Sequence, residues 1–204
     1  AQEVVKEITD GGGAAVTAQA DIGEPADVQG LFDAAEQQYG GLDVVVNTAG
    51  IMLLGPLAEL NVDDFDRMHR TNVRGTFLVS QQAARRLRPG GALINFATSV
   101  RKLALPTYAA YAAGKAGVEA LTPILAKELQ GRDVTVNAVA PGPTATPLFL
   151  DGKPQNVIDH LASMSPLGRR HAATPPAPPA AKIRPARAAR AEPPRPPPVR
   201  ARPH

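Results

Sequence analysis

At 204 residues the chain is long enough for one domain with its own core, and nothing in its composition calls for a second folded domain. The absence of cysteine excludes a disulfide framework and a thiolate metal site, fits a reducing compartment, and leaves redox chemistry dependent on a bound cofactor. The net charge of +3 points to nucleic acid only until its location is read: residues 171–204 carry seven Lys/Arg against one acidic residue, while residues 1–170 carry 15 against 18. No stretch approaches the roughly 18 apolar residues of a membrane span, and residues 1–10 read as an amphipathic helix, not a signal peptide. The expectation is a soluble cytoplasmic protein with no membrane, nucleic-acid or metal partner.

In chain order, Val4 and Ile8 lie at helical spacing, and the helix stops at the Asp10-Gly11-Gly12-Gly13 breaker. Residues 14–18 read as a short strand. Glu24-Pro25 opens a second helix, with Val28, Leu31, Phe32 and Ala35 recurring every three or four residues until Tyr39-Gly40-Gly41 ends it. Residues 42–46 form an apolar run of buried-strand length. Then come a helix over 63–87, a strand over 92–96, a helix over 108–129 and a strand over 134–139. Repeated strand–helix units with nearly continuous apolar strands imply an α/β fold whose parallel sheet is covered on both faces. Ligands of such sheets gather at the carboxyl ends of the strands. There the sequence is specific: Asn47-Thr48-Ala49-Gly50 follows one strand, Thr98-Ser99 the next, and residues 141–146 the last.

The segments VVVNTAGI, RTNVRGTF, LINFATSV, YAAYAAGKAGVEALT and TVNAVAPGPTATPL, in this order and at nearly this spacing, resemble the short-chain dehydrogenases/reductases over residues 1–169. The resemblance implies a Rossmann-like, doubly wound parallel sheet and an NAD(P)-dependent oxidoreductase reducing a ketone or oxidising an alcohol. The 3-oxoacyl carrier-protein reductase and naphthol reductase branches are the most similar. A small carbonyl or alcohol substrate follows. NADP is favoured slightly over NAD, and the long helices resemble those that join the family's homodimers and homotetramers.

Reducing a ketone by hydride transfer needs a proton donor for the developing alkoxide, and a phenol with an ordinary pKa near 10 must be tuned for that task. Lys115 lies four residues after Tyr111, one helical turn along the same face, where an ammonium would lower the phenol's pKa. Tyr108 has Ala112 at the corresponding place, so the acid/base role goes to Tyr111. The resemblance makes Tyr111 and Lys115 cofactor contacts as well, with Lys115 on the nicotinamide ribose. It assigns a substrate-binding hydroxyl to Ser99, twelve residues before Tyr111, with Thr98 at thirteen as the other candidate. Asn72 matches the asparagine whose backbone carbonyl holds a proton-relay water. Asp21 and Ile22 match the adenine contacts, Asn47, Ala49 and Gly50 the Asn-Asn-Ala-Gly segment, and Pro141, Gly142 and Thr146 the cover over the nicotinamide.

The family's opening strand, glycine-rich turn, helix and second strand find no match, and Gly11-Gly12-Gly13 does not replace the turn because it follows a helix and precedes a strand. After Ser165-Pro166-Leu167-Gly168-Arg169 the resemblance stops. Residues 171–204 hold eleven Pro, ten Ala and six Arg with nothing aromatic to bury, which predicts disorder with polyproline stretches around 193–198. A frameshifted tail, a basic arm for an anionic partner and a proline-rich peptide ligand all fit this composition. The sheet is therefore expected to be incomplete, and a catalytically inactive fragment acting through association is the alternative reading.

Overall fold

The computed structural model describes residues 1–142, 144, 146–150 and 154–163. Three parallel strands, β1 (Leu42–Asn47), β2 (Leu87–Phe96) and β3 (Thr135–Val139), form a sheet in the order β1-β2-β3. The helices before and between them are α1 (Gln2–Asp10), α2 (Pro25–Tyr39), α3 (Val62–His69), α4 (Thr76–Arg86), α5 (Val100–Leu103) and α6 (Ala109–Glu128). After β3 come α7 (Pro147–Leu150) and α8 (Gln155–Ser163).

Local chemistry sets the helix limits. Pro25 takes the first turn of α2, where its missing N–H costs nothing, and Gly40 ends the helix in the left-handed region at φ 75°. Arg86 at the end of α4 pairs with Asp33 and Glu36 of α2 and lies over the Phe32 ring, 5.6 Å from its centroid. Asn61 caps α3 by accepting the Asp63 N–H.

The core sits on one face of the sheet. Leu93 of β2 and Val136 of β3 pack with Val28 and Phe32 of α2 and Val79 and Ala83 of α4, while Val45, Leu125 and Ala126 pack partly buried against them. Strand alternation sends Val44, Val46 and Val139 to the other face, where they are 50%, 52% and 44% exposed. Among the described residues, then, the core-building helices cover one of the two faces that the apolar strands were expected to bury.

Three expectations need correction. Residues 14–18 form no strand: a strand requires a hydrogen-bonded neighbour, and none among the described residues pairs with this segment. The helix expected over 63–87 is interrupted by a π-helical turn at Arg70–Gly75 and ends at Arg86. β2 accordingly begins at Leu87, five residues earlier than expected, and its pairing with β1 shifts register between Leu42 and Val44. The Ser165–Arg169 segment and the tail over 170–204 lie outside the described residues.

Candidate active site

The site forms where β2 and β3 end and α6 begins. Tyr111 and Lys115 stand one turn apart on α6, 7% and 4% exposed respectively. They line a cavity of about 330 Å³ together with Thr48, Gly50, Thr98, Ser99, Pro141, Gly142, Thr144 and Thr146. The three loops after the three strands thus converge on it, as strand-end ligand sites in parallel sheets require.

Lys115 Nζ donates to the Phe96 carbonyl at 2.7 Å, so the ammonium is fixed to the last residue of β2. Burial pushes the Lys115 pKa down. Burial also pushes the Tyr111 phenol up; a hydrogen bond with the Thr98 side chain opposes that, and Tyr108 adds to it. Desolvation is the largest of these influences on the phenol.

Thr98 lines the cavity with Tyr111. It is 7% exposed, and its Oγ1 accepts the Val100 N–H at 3.3 Å, which leaves its own proton free to donate. Ser99 lines the same cavity and serves as N-cap residue of α5, its N–H donating to the Pro141 carbonyl at 3.1 Å. Both candidate hydroxyls are therefore at hand.

Asn72, 1% exposed, sits in the π-helical turn and clamps the loop after β1. Its Oδ1 accepts the Ile51 N–H at 2.9 Å and its Nδ2 donates to the Ile51 carbonyl at 2.8 Å. Gly50 fits between two polar side chains: a Cβ there would lie 3.2 Å from Asn72 Oδ1 and 3.3 Å from Lys115 Nζ. The missing side chain leaves a cradle beside the lysine.

The remaining expected contacts do not line this cavity. Asn47 is buried with its Nδ2 donating to Thr76 Oγ1 at 3.1 Å, and together with Ile22 and Ala49 it borders a second, more open cleft along β1. Thr48 lines both. Ile22 Cδ1 would lie 2.6 Å from a Cβ on Gly75, so this close approach depends on glycine there. Asp21 lies at the surface, accepting the Gly23 N–H at 2.8 Å and pairing with Arg70 at 2.7 Å; the Arg70 bond, then the Gly23 bond, holds its pKa below the usual carboxylate range.

Sequence reasoning missed Thr48, Thr144 and the wall-forming role of Tyr108. Tyr108 is 7% exposed and packs with Met68 and Tyr111; its position three residues before Tyr111 on one helix face was the available signal. Among the described residues no buried side-chain polar atom lacks a partner, no group of acidic, His or Cys residues could hold a metal, and no helix is long and apolar enough to cross a membrane.

The profile of the enoyl-(acyl carrier protein) reductase family matches residues 1–179. A short-chain type dehydrogenase/reductase of Picea abies is 41% identical over 76% of this chain and 59% of its own length. The chain belongs to the short-chain dehydrogenase/reductase family. The NADPH-dependent aldehyde reductase-like protein of Arabidopsis thaliana, described as chloroplastic, is 43% identical over 81% of this chain and 63% of that protein. Among solved structures, a putative dehydrogenase from Burkholderia cenocepacia with bound NADP superposes with a TM-score of 0.79 at 34% identity, covering 82% of this chain and 63% of that one. This short-chain dehydrogenase/reductase chain thus spans less than two thirds of the length of either curated relative.

Proposed function

We infer that the protein is an NADP(H)-dependent oxidoreductase that reduces an aldehyde or ketone, or oxidises the corresponding alcohol, with Tyr111 as acid/base. The observation that carries this is the pairing of Tyr111 and Lys115 one turn apart, both buried, in a cavity bordered by the loops from all three strand ends. The residues present fit the nicotinamide end of such a cofactor. The cradle at Gly50 leaves Lys115 Nζ accessible to a ribose, and Pro141, Gly142 and Thr146 border the same space. Bound there, the cofactor supplies or receives the hydride.

The rest is the work of this chain's own groups. Tyr111 Oη gives its proton to the carbonyl oxygen during reduction and takes it back during oxidation. The Thr98 or Ser99 hydroxyl donates to the same oxygen and orients it. Lys115 holds a positive charge one helical turn from the phenol, favouring the phenolate that reduction leaves behind. Asn72 keeps the loop carrying Gly50 and Ile51 in place, and its backbone carbonyl is assigned the relay water. Asp21 and Ile22, with Asn47 and Ala49 along the second cleft, are assigned to the adenosine side. NADP is preferred to NAD, in keeping with the NADP-bound structural neighbour and the NADPH-dependent relative. The exposed apolar side chains of α4 and α6, Phe77 and Ile124, support a homodimer through these helices.

Titration with NADPH, followed by nicotinamide fluorescence and thermal melting, tests the reading. Saturable binding, and NADPH consumption with a methyl ketone that disappears in Tyr111→Phe, is the expected result. A cooperative melt without NADPH binding overturns it and leaves an inactive interaction protein as the better description.

A further inference from the structure

We propose that Asn95 is the positioning residue for Lys115: held between β1 and α4, its side chain fixes the end of β2 and thereby the Phe96 carbonyl on which the ammonium rests. This rests on the oxidoreductase reading for what the ammonium does, while the placement itself is tested without cofactor.

Asn95 breaks the pattern of its strand. Asparagine is a poor strand former, and a buried amide is costly unless its donors and acceptor are bonded. Yet Asn95 stands in the central strand, 0% exposed, between the apolar Ile94 and Phe96. Its Nδ2 donates to Ser80 Oγ at 3.3 Å, and its Oδ1 accepts from Asn47 Nδ2 at 3.5 Å, the weaker of the two contacts. Asn47 in turn donates to Thr76 Oγ1 at 3.1 Å. Thr76 and Ser80 lie one turn apart on α4, both buried, so the ends of β1 and β2 are latched to one face of that helix. An apolar side chain of similar size would fill the same place without needing any of these partners. A polar residue where the strand's own rules ask for an apolar one marks a demand made by a site.

The sheet register shows what the demand is. Asn47–Asn95 is the last pair between β1 and β2, whereas β2 and β3 stay paired through Phe96 and Val139. Beyond Asn47, the chain leaves the sheet for the loop that carries Thr48 and Gly50, and the Phe96 carbonyl accepts from Lys115 Nζ at 2.7 Å. Lys115 is thus anchored to the first residue of β2 that β1 no longer braces. The side chain next to that residue, Asn95, carries the brace on to β1 and α4. On the other side of the ammonium, the space where a Gly50 Cβ would stand, 3.3 Å from Nζ, is open to it. Loss of the anchor therefore leaves Lys115 room to move.

Lysine labelled with ¹³C at Cε reports the ammonium in the 204-residue chain by NMR, the Lys115 signal being the one lost in Lys115→Met. Tyr108 and Tyr111 are the other titratable groups lining the cavity among the described residues; burial moves both up and the lysine down, so the transitions separate. Asn95→Leu should lower the Lys115 titration midpoint by at least about 0.5 pH unit, because an ammonium that loses its carbonyl is less well stabilised. Ser80→Ala takes away one partner of Asn95, disturbs the core less, and should shift the midpoint in the same direction. Val28→Ala, a core change on α2 outside the cavity, should lower Tm and leave the midpoint in place. If Asn95→Leu does not fold, Ser80→Ala decides alone. A midpoint unmoved in the folded variants of Asn95 and Ser80, or an equal shift in Val28→Ala, overturns the proposal. A midpoint that moves as expected in a chain that neither binds nor consumes NADPH keeps it and overturns the oxidoreductase reading instead.

Discussion

One face of the three-stranded sheet carries Leu93 and Val136 beneath α2, α4 and α6, while the other carries Val44, Val46 and Val139 about half exposed. The two faces are made from the same strands and similar residues. They differ in what the rest of the chain does around them. On the covered side, burial is accompanied by polar connections that run from the core into the site: Asn95 Nδ2 donates to Ser80, Asn47 to Thr76, and Lys115 to Phe96. On the other side no site group is anchored among the described residues. Chemistry in this molecule is organised from the helical face, and the apolar content of a strand shows how much cover it calls for without showing where the cover comes from.

The strongest way to break this comparison is to attack the covered side. Tyr111→Phe keeps the packing with Met68 and Tyr108 but removes the proton donor, and should lower the reduction rate by about 10²–10⁴-fold. A variant that reduces ketone at the original rate would remove Tyr111 from the mechanism. Asn72→Ala strips two hydrogen bonds from the partly buried backbone of Ile51, at a cost of about 1–3 kcal/mol in denaturant unfolding. Gly91→Ala would set a Cβ 2.8 Å from the carbonyl oxygens of both Arg88 and Asp43; backbone atoms cannot rotate away, so a loss of about 1–3 kcal/mol is expected.

Alkaline pH sharpens the comparison within the site. Tyr111 holds its proton more tightly when folded, so its contribution to stability is complete below the ordinary phenol value of about 10 and is lost as pH rises through the higher folded value. Tyr111→Phe should flatten the fall in Tm above that point. Lys115 is shifted the other way: its contribution is complete above the ordinary value of about 10.4 and is lost as pH falls through the lower folded value, a trend that Lys115→Met should remove. The smallest effect belongs to the open face. Val44→Lys should change stability by no more than about 0.5 kcal/mol, and a much larger loss would mean that this valine is covered in solution.

Sequence periodicity located α2, the strands β1 and β3, and α6 to within a few residues, because each carries a strong apolar pattern with clear end signals. It also identified the pair Tyr111 and Lys115, since a four-residue spacing on a helix fixes a shared face. Three features were beyond it. The pairing of residues 14–18 depends on a neighbour that is not local. The direction of the Lys115 ammonium depends on where β2 ends in space. The cavity wall also draws Leu103, Leu105 and Leu161 from outside the matching segments.

The π-helical turn at Arg70–Gly75 closes i→i+5 bonds and so holds one residue more than an α-helical turn. Removing one residue there would let the turn close as an α-helix with α4 still presenting Thr76, Val79, Ser80 and Ala83 to the sheet, while Asn72, inside the turn, would lose its hold on Ile51. A change of length in this stretch is felt in the site before it is felt in the core.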